Sequence, residues 1–176
     1  MDIELLVNIS SKAWALKILA LLDSGVAGRQ APLLAASKAT RPAFTASLKH
    51  LTELNLLEKN PGHGHPLRPE FRLTPQGIEA AAMAGRVINA APDDAALAIL
   101  KRTWSMPILA IAGAPTRYSA IKTRLGKITD RALSQSLFFL EERDWLAREI
   151  NVSNRAAYPT YHAIEKGAEI SRLIQV

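Results

Sequence analysis

Lys127-Ile-Thr-Asp-Arg-Ala-Leu-Ser-Gln-Ser-Leu-Phe-Phe-Leu-Glu-Glu-Arg-Asp-Trp145 is the stretch from which the fold is read. Leu133, Leu137 and Leu140 recur at helical spacing and stack on one face, which is left to a core. Arg131, Ser134, Gln135 and Phe138 point the other way and are available to a partner. Thr129 sits where an N-cap belongs, its hydroxyl able to accept from a free amide of the first turn. A second version of this helix runs from Thr40 to Leu56, at an offset of 89 residues.

Around these two helices the halves of the chain superimpose in order. Trp14, Ile18 and Leu19 match Trp104, Ile108 and Leu109, and Arg29 and Leu33 match Arg117 and Ile121. Thr40, Phe44, Ser47, Leu48, Leu51 and Leu57 match Thr129, Leu133, Ser136, Leu137, Leu140 and Leu146. Pro69, Phe71 and Gly77 match Pro159, Tyr161 and Gly167. Chance leucine spacing does not account for the matched Trp, the Thr caps and the Pro-x-aromatic followed by Gly, so an internal duplication is expected.

Each half reads helix, helix, helix, strand, loop, strand, helix. The first helix covers Ser11–Leu22 or Trp104–Ala112, the second Arg29–Ala36 or Arg117–Leu125, and the long helix follows. Strands are expected at Leu56–Lys59 and Glu70–Leu73, and at Leu146–Val152 and Thr160–Ala163. Thr74-Pro-Gln and Glu165 open the closing helices. The fold class is therefore mainly α with small β-hairpin wings (α+β): two tandem winged helix-turn-helix domains related by internal duplication. The expected bounds are 1–90 and 91–176, with Ala90-Ala-Pro-Asp as the break and packed helices, not a loose linker, on either side.

Composition narrows the function. The 176 residues carry a formal charge of +6 and no cysteine, which favours an anionic partner and removes disulfides and thiolate metal sites. Residues 1–90 hold ten Lys/Arg against seven Asp/Glu, and residues 91–176 twelve against nine. No signal peptide or uninterrupted membrane stretch is visible, so the chain is expected to be cytoplasmic and associated with the nucleoid. No nucleophile-base pair, carboxylate dyad or phosphate-binding loop is present, which leaves no ground for catalytic residues, a cofactor or an enzyme.

Several runs of the second half resemble the HxlR-type winged-helix transcriptional regulators. They are Trp104-Ser-Met-Pro-Ile-Leu, Arg117-Tyr-Ser-Ala-Ile, Ile128-Thr-Asp-Arg-Ala-Leu-Ser-Gln-Ser-Leu and Tyr161-His-Ala-Ile-Glu-Lys-Gly. The likeness covers about residues 101–173, and MarR-like and PadR-like winged helices share much of the pattern. The first half resembles the winged-helix group more generally, through Leu73-Thr-Pro-Gln-Gly. The resemblance implies double-stranded operator DNA as partner, a bacterial transcriptional role, repression by blocking polymerase, and a chain that works as a covalent pseudo-dimer. Two departures stand out: the family carries one such domain per chain, and it often has a basic residue where this chain has Phe138.

The charge pattern locates the expected contacts. From Ser24 to Thr52 there is no acidic residue, while Arg117–Arg131 carries five cations against Asp130 alone. A helix fits the major groove, so Arg131 and Gln135 are expected to read base edges, bidentate Arg with guanine and Gln with adenine. On the other helix the outward set is Pro42, Thr45, Ala46 and Lys49, with Arg41 near the helix start. Thr40, Thr45, Thr129 and Ser134 are phosphate contacts or caps, and Arg29, Lys38, Arg117, Lys122 and Lys127 flank them toward the backbone. The hairpin wings add His63, His65, Arg68, Asn154 and Arg155, with His63-Gly-His65 read as exposed wing and not as a metal site. Should both units engage one duplex, their half-sites fall about 10 bp apart or a multiple of it, as an imperfect palindrome. The alternative is a tandem winged-helix scaffold for protein contacts, like the chromosome-segregation ScpB proteins, which Phe138, Phe139 and Ala46 keep open. Self-association through Asp2–Ile9 or the central helices also stays open.

Overall fold

The computed structural model describes residues 1–60, 69–152 and 157–174. These residues form two compact units, Lys12–Pro92 and Asp93–Val176 together with Met1–Ser11. They are called here the first and second unit.

The first unit holds α2 (Ala15–Asp23), α3 (Gln30–Ser37), α4 (Arg41–Glu53), β1 (Leu57–Asn60), β2 (Glu70–Leu73) and α5 (Pro75–Ala90). In α4 the buried side chains are Phe44, Ser47, Leu48 and Leu51, the face that the apolar spacing marks out. Leu33 and Ile18, also fully buried, meet them from α3 and α2. The long α5 packs along α2 through Ala80, Ala81, Ala84 and Val87, small side chains that let two backbones run close. β1 and β2 pair antiparallel with Leu57 opposite Leu73 and Asn60 opposite Glu70.

The second unit repeats this order with α7 (Ser105–Ile111), α8 (Tyr118–Leu125), α9 (Asp130–Glu141), β4 (Leu146–Asn151), β5 (Tyr158–Ala163) and α10 (Glu165–Ile174). Leu133, Leu137 and Leu140 are the buried face of α9, as their spacing requires. Leu146 pairs with Ala163, placing β4 and β5 in the register of the first hairpin. A short strand, β3 (Thr116–Arg117), adds to the free edge of β5. At the corresponding place in the first unit, the chain makes a single bridge between Arg29 and Glu70.

Details beyond the matched sequence positions are common to both units as well. Asn55 and Asp144, each between the long helix and its strand, adopt φ of 56° and 54°, a left-handed turn that Asn and Asp tolerate best among side-chain residues. Gly77 and Gly167 have a steric role: a Cβ on either would collide with the carbonyl oxygen of Leu56 or Trp145. The first turns of α5 and α10 therefore press directly on the chain leaving the long helix. Thr74 fixes this junction in the first unit, accepting from Gly77 N at 3.0 Å and donating to the Asn55 carbonyl at 2.7 Å.

Two features depart from the expected organisation. Residues 1–11 do not join the first unit. They form α1 (Ile3–Ser10), capped by Asp2, whose carboxylate accepts from Glu4 N, and α1 packs on α7 and α8. Leu6 and Ile9 are fully buried there, so the apolar side of Asp2–Ile9 is occupied within the chain. The helix expected from Ser11 starts at Ala15 instead, because the chain turns between α1 and α2. Beyond the break, α6 (Asp94–Leu100) is capped by Asp93 and packs on α7. Trp14 and Trp104, at matched N-cap positions of α2 and α7, are half-buried. Among the described residues no single helix is long and apolar enough to cross a membrane.

Candidate nucleic-acid interface

In the first unit α3 and α4 form the helix-turn-helix. The turn is set by Lys38, which ends α3 in the left-handed region at φ 58°. Ser37 braces it, its hydroxyl donating to the Leu34 carbonyl and accepting from Ala39 N. Thr40 precedes α4 but makes no side-chain cap. Pro42, the second residue of the helix, has no N–H to offer it. The Thr40 hydroxyl is exposed at the head of the helix, beside exposed Arg41, Pro42, Thr45, Ala46 and Lys49. Lys49 lies 3.6 Å from Glu53, an exposed pair one turn apart, of a kind that holds weakly in water. Arg29 and Lys38 are exposed on the same helix-turn-helix segment.

The second unit builds the same motif from α8 and α9, with a denser set of internal bonds. Thr129 does cap its helix, accepting from Ala132 N at 3.2 Å. Lys122 Nζ lies 2.6 Å from Asp130 Oδ2, and the Lys122 bond and charge hold the Asp130 carboxyl below the usual range, opposed by partial desolvation and helped by Tyr118. Tyr118 Oη stands 3.1 Å from the Asp130 carbonyl and 3.2 Å from Ser134 Oγ. The one phenolic proton is best used toward Asp130, with Ser134 donating to the phenol. Arg117 lays its guanidinium over the Tyr158 ring at 3.5 Å, a cation–π contact that ties the start of α8 to β5.

These contacts sort the expected residues. Arg131 and Gln135 are exposed on the outward face of α9, and Lys127 is exposed before it. Lys122 and Ser134 already have partners inside the unit, and Arg117 is stacked on a ring. The charge pattern alone passes over Tyr118, which joins α8 to α9 at the head of the outward face; the Arg-aromatic start of the helix was the available signal. Arg124, exposed in the last turn of α8, extends the same basic segment. His63, His65, Arg68, Asn154 and Arg155 lie outside the described residues.

The far end of α9 has a different chemistry. Phe138 is 62% exposed, whereas Phe139 is half-buried, with the guanidinium groups of Arg102 and Arg143 against its ring, 3.7 and 3.6 Å from its centroid. Glu141 is half-buried, and desolvation raises its carboxyl against the pull of Arg148. The Tyr161 phenol is likewise raised, first by burial, with Arg148 opposing and Glu141 and Tyr118 adding to it. Ile150 and Val152, on and just past β4, are exposed. Cations thus crowd the head of α9, and toward its tail exposed Phe138 is followed by a surface of mixed charge, Glu141 and Glu142 with Arg102, Arg143 and Arg148.

Neither the curated proteins nor the solved structures contain a match to this chain. Residues 99–176, most of the second unit, match the family model for HxlR-like helix-turn-helix domains.

Proposed function

We propose that the chain is a sequence-specific, double-stranded DNA-binding transcription regulator that acts in the cytoplasm as a repressor. The observation that carries this reading is the outward face of α4. It presents Arg41, Thr45 and Lys49 with no acidic residue from Ser24 to Thr52, on a helix-turn-helix whose counterpart belongs to a segment matching a regulator-type family. Phosphate docking needs such a polarised surface, and groove reading needs exposed side chains on a helix. α9 contributes Arg131 and Gln135.

The two units are read as products of one duplication, a covalent counterpart of a homodimer. Support comes from the paired left-handed residues Asn55 and Asp144, the paired glycines Gly77 and Gly167, and the common hairpin register. Electrophoretic shift against genomic fragments tests the central claim. A specific complex at moderate salt, weakened by Lys49→Ala and by Arg131→Ala, supports it; no specific complex, and no effect of either substitution on any residual binding, refutes it.

A protein-binding scaffold is the second reading, favoured by the exposure of Phe138, Ile150 and Val152 in the second unit. Salt separates the two. Phosphate contacts predict affinity that falls steeply with log salt, and an apolar interface does not.

A further inference from the structure

A cross-brace of side chains joins the two helices of the second helix-turn-helix. Tyr118 and Lys122 stand one turn apart on α8, and Asp130 and Ser134 one turn apart on α9. One oxygen of the Asp130 carboxylate lies 2.6 Å from Lys122 Nζ, and the other lies 3.2 Å from Tyr118 Oη. The same phenol oxygen reaches the Asp130 carbonyl at 3.1 Å and Ser134 Oγ at 3.2 Å. A single point of contact would act as a pivot. Two points along one helix edge resist both sliding and rolling of α9 on α8.

The pinned edge lies next to the edge that reads. Asp130 and Ser134 immediately precede Arg131 and Gln135, the exposed side chains best suited to base edges. Bidentate recognition tolerates little roll of the helix that carries it, since both bonds of a pair must reach their partners at once.

The first unit keeps only a hydroxyl of this arrangement. Gln30, Leu34, Arg41 and Thr45 stand where Tyr118, Lys122, Asp130 and Ser134 stand in the second. Leucine and arginine cannot make the ion pair, and Gln30 is exposed. Thr40 also leaves α4 without the side-chain cap that Thr129 gives α9. The Lys49 ammonium that α4 presents is a point charge, which engages a phosphate from many orientations and needs no such bracing.

We propose that Tyr118 is a positioning residue for base selection: through Asp130 and Ser134 it fixes the roll of α9, so that Arg131 and Gln135 meet one set of base edges. The selective half of this inference rests on the proposed function; the mechanical half does not.

Tyr118→Phe keeps the ring and removes only the oxygen. In the free full chain, hydrogen exchange at the α9 amides from Ala132 to Ser136 is expected to quicken about tenfold, with α4, α7 and α10 unchanged. Unchanged exchange in α9, or equal acceleration throughout the chain, overturns the brace with no DNA present. Binding to the wild-type chain's preferred duplex and to random duplexes then measures selection. Tyr118→Phe is expected to lower the ratio of preferred to random affinity about tenfold, while affinity for random duplex and its salt slope stay as in wild type. In a chain already carrying Arg131→Ala and Gln135→Ala, the same substitution is expected to change the ratio no further, because its effect passes through those two side chains. A ratio unchanged by Tyr118→Phe, a loss shared equally by preferred and random duplexes, or a full further loss in the Arg131→Ala, Gln135→Ala background overturns the positioning role alone. A wild type that selects no sequence fails the proposed function itself, and the selective half of this inference with it.

Discussion

Lys122 Nζ and Asp130 Oδ2 are 2.6 Å apart, so the one acidic residue of the basic segment from Arg117 to Arg131 neutralises one of its cations. Asp130→Asn should free Lys122 and raise DNA affinity at low salt, with the slope of log affinity against log salt steeper by about 1. Fluorescence anisotropy over a salt series reads both quantities. The pair also has a pH signature. Asp130 titrates below its ordinary value in the folded chain. Its contribution to stability is therefore present above the unfolded value of about 4 and is lost as pH falls through the lower folded one. Melting curves of wild type and Asp130→Asn should differ at neutral pH and converge in stronger acid.

Under the proposed function, α4 and α9 should respond differently to loss of a charge. Arg131→Ala should cost about 1–3 kcal/mol toward the preferred site and relax selection at one base position. Lys49→Ala should weaken binding to all sequences by a similar factor and flatten the salt slope by about 1. Binding to a library of randomised duplexes separates these outcomes.

Phe138 holds the place in α9 that Lys49 holds in α4, and it is 62% exposed. Phe138→Lys should leave stability within about 0.5 kcal/mol of wild type. It should strengthen DNA binding at low salt if the second unit engages the duplex. A gel shift with no gain in affinity would mean that the tail of α9 faces away from phosphate.

Gly77→Ala and Gly167→Ala each put a methyl group against a backbone carbonyl. Each should destabilise its own unit by about 1–3 kcal/mol. Hydrogen exchange should localise the first loss to α5 and β1 and the second to α10 and β4.

Much of this architecture is legible in the sequence because its signals are local. The leucines of α4 and α9 lie within single helices, and Thr74 and Thr129 act on amides three residues away. Gly77 and Gly167 stand at matched positions of the two halves, although the reason for them, a carbonyl about 20 residues earlier, lies in tertiary contact and not in local pattern. What was not legible depends on distant partners. β3 has two residues, too few for any periodicity, and exists because β5 offers an edge. The Tyr118, Asp130 and Ser134 cluster joins two helices through side chains whose meeting no spacing rule predicts. The pattern of α1 calls for burial, but nothing in it names α7 and α8 as the surface that provides it.

Ile9→Ala tests that allegiance. Removing a fully buried side chain should cost about 2–5 kcal/mol, and the lost exchange protection should fall on α7 and α8 while α2 and α5 keep theirs.

The placement of α1 also sets a timetable. A ribosome adding about 5–20 residues per second needs on the order of ten seconds to pass from Ser10 to the end of α8. Lys12–Pro92 is made within that interval and can fold first. The α7 and α8 surfaces on which α1 packs are available to Leu6 and Ile9 only after those helices leave the exit tunnel. The nascent chain therefore carries the apolar side of α1 without that cover while Lys12–Pro92 is already complete, an interval in which a chaperone that binds exposed apolar helices has a target.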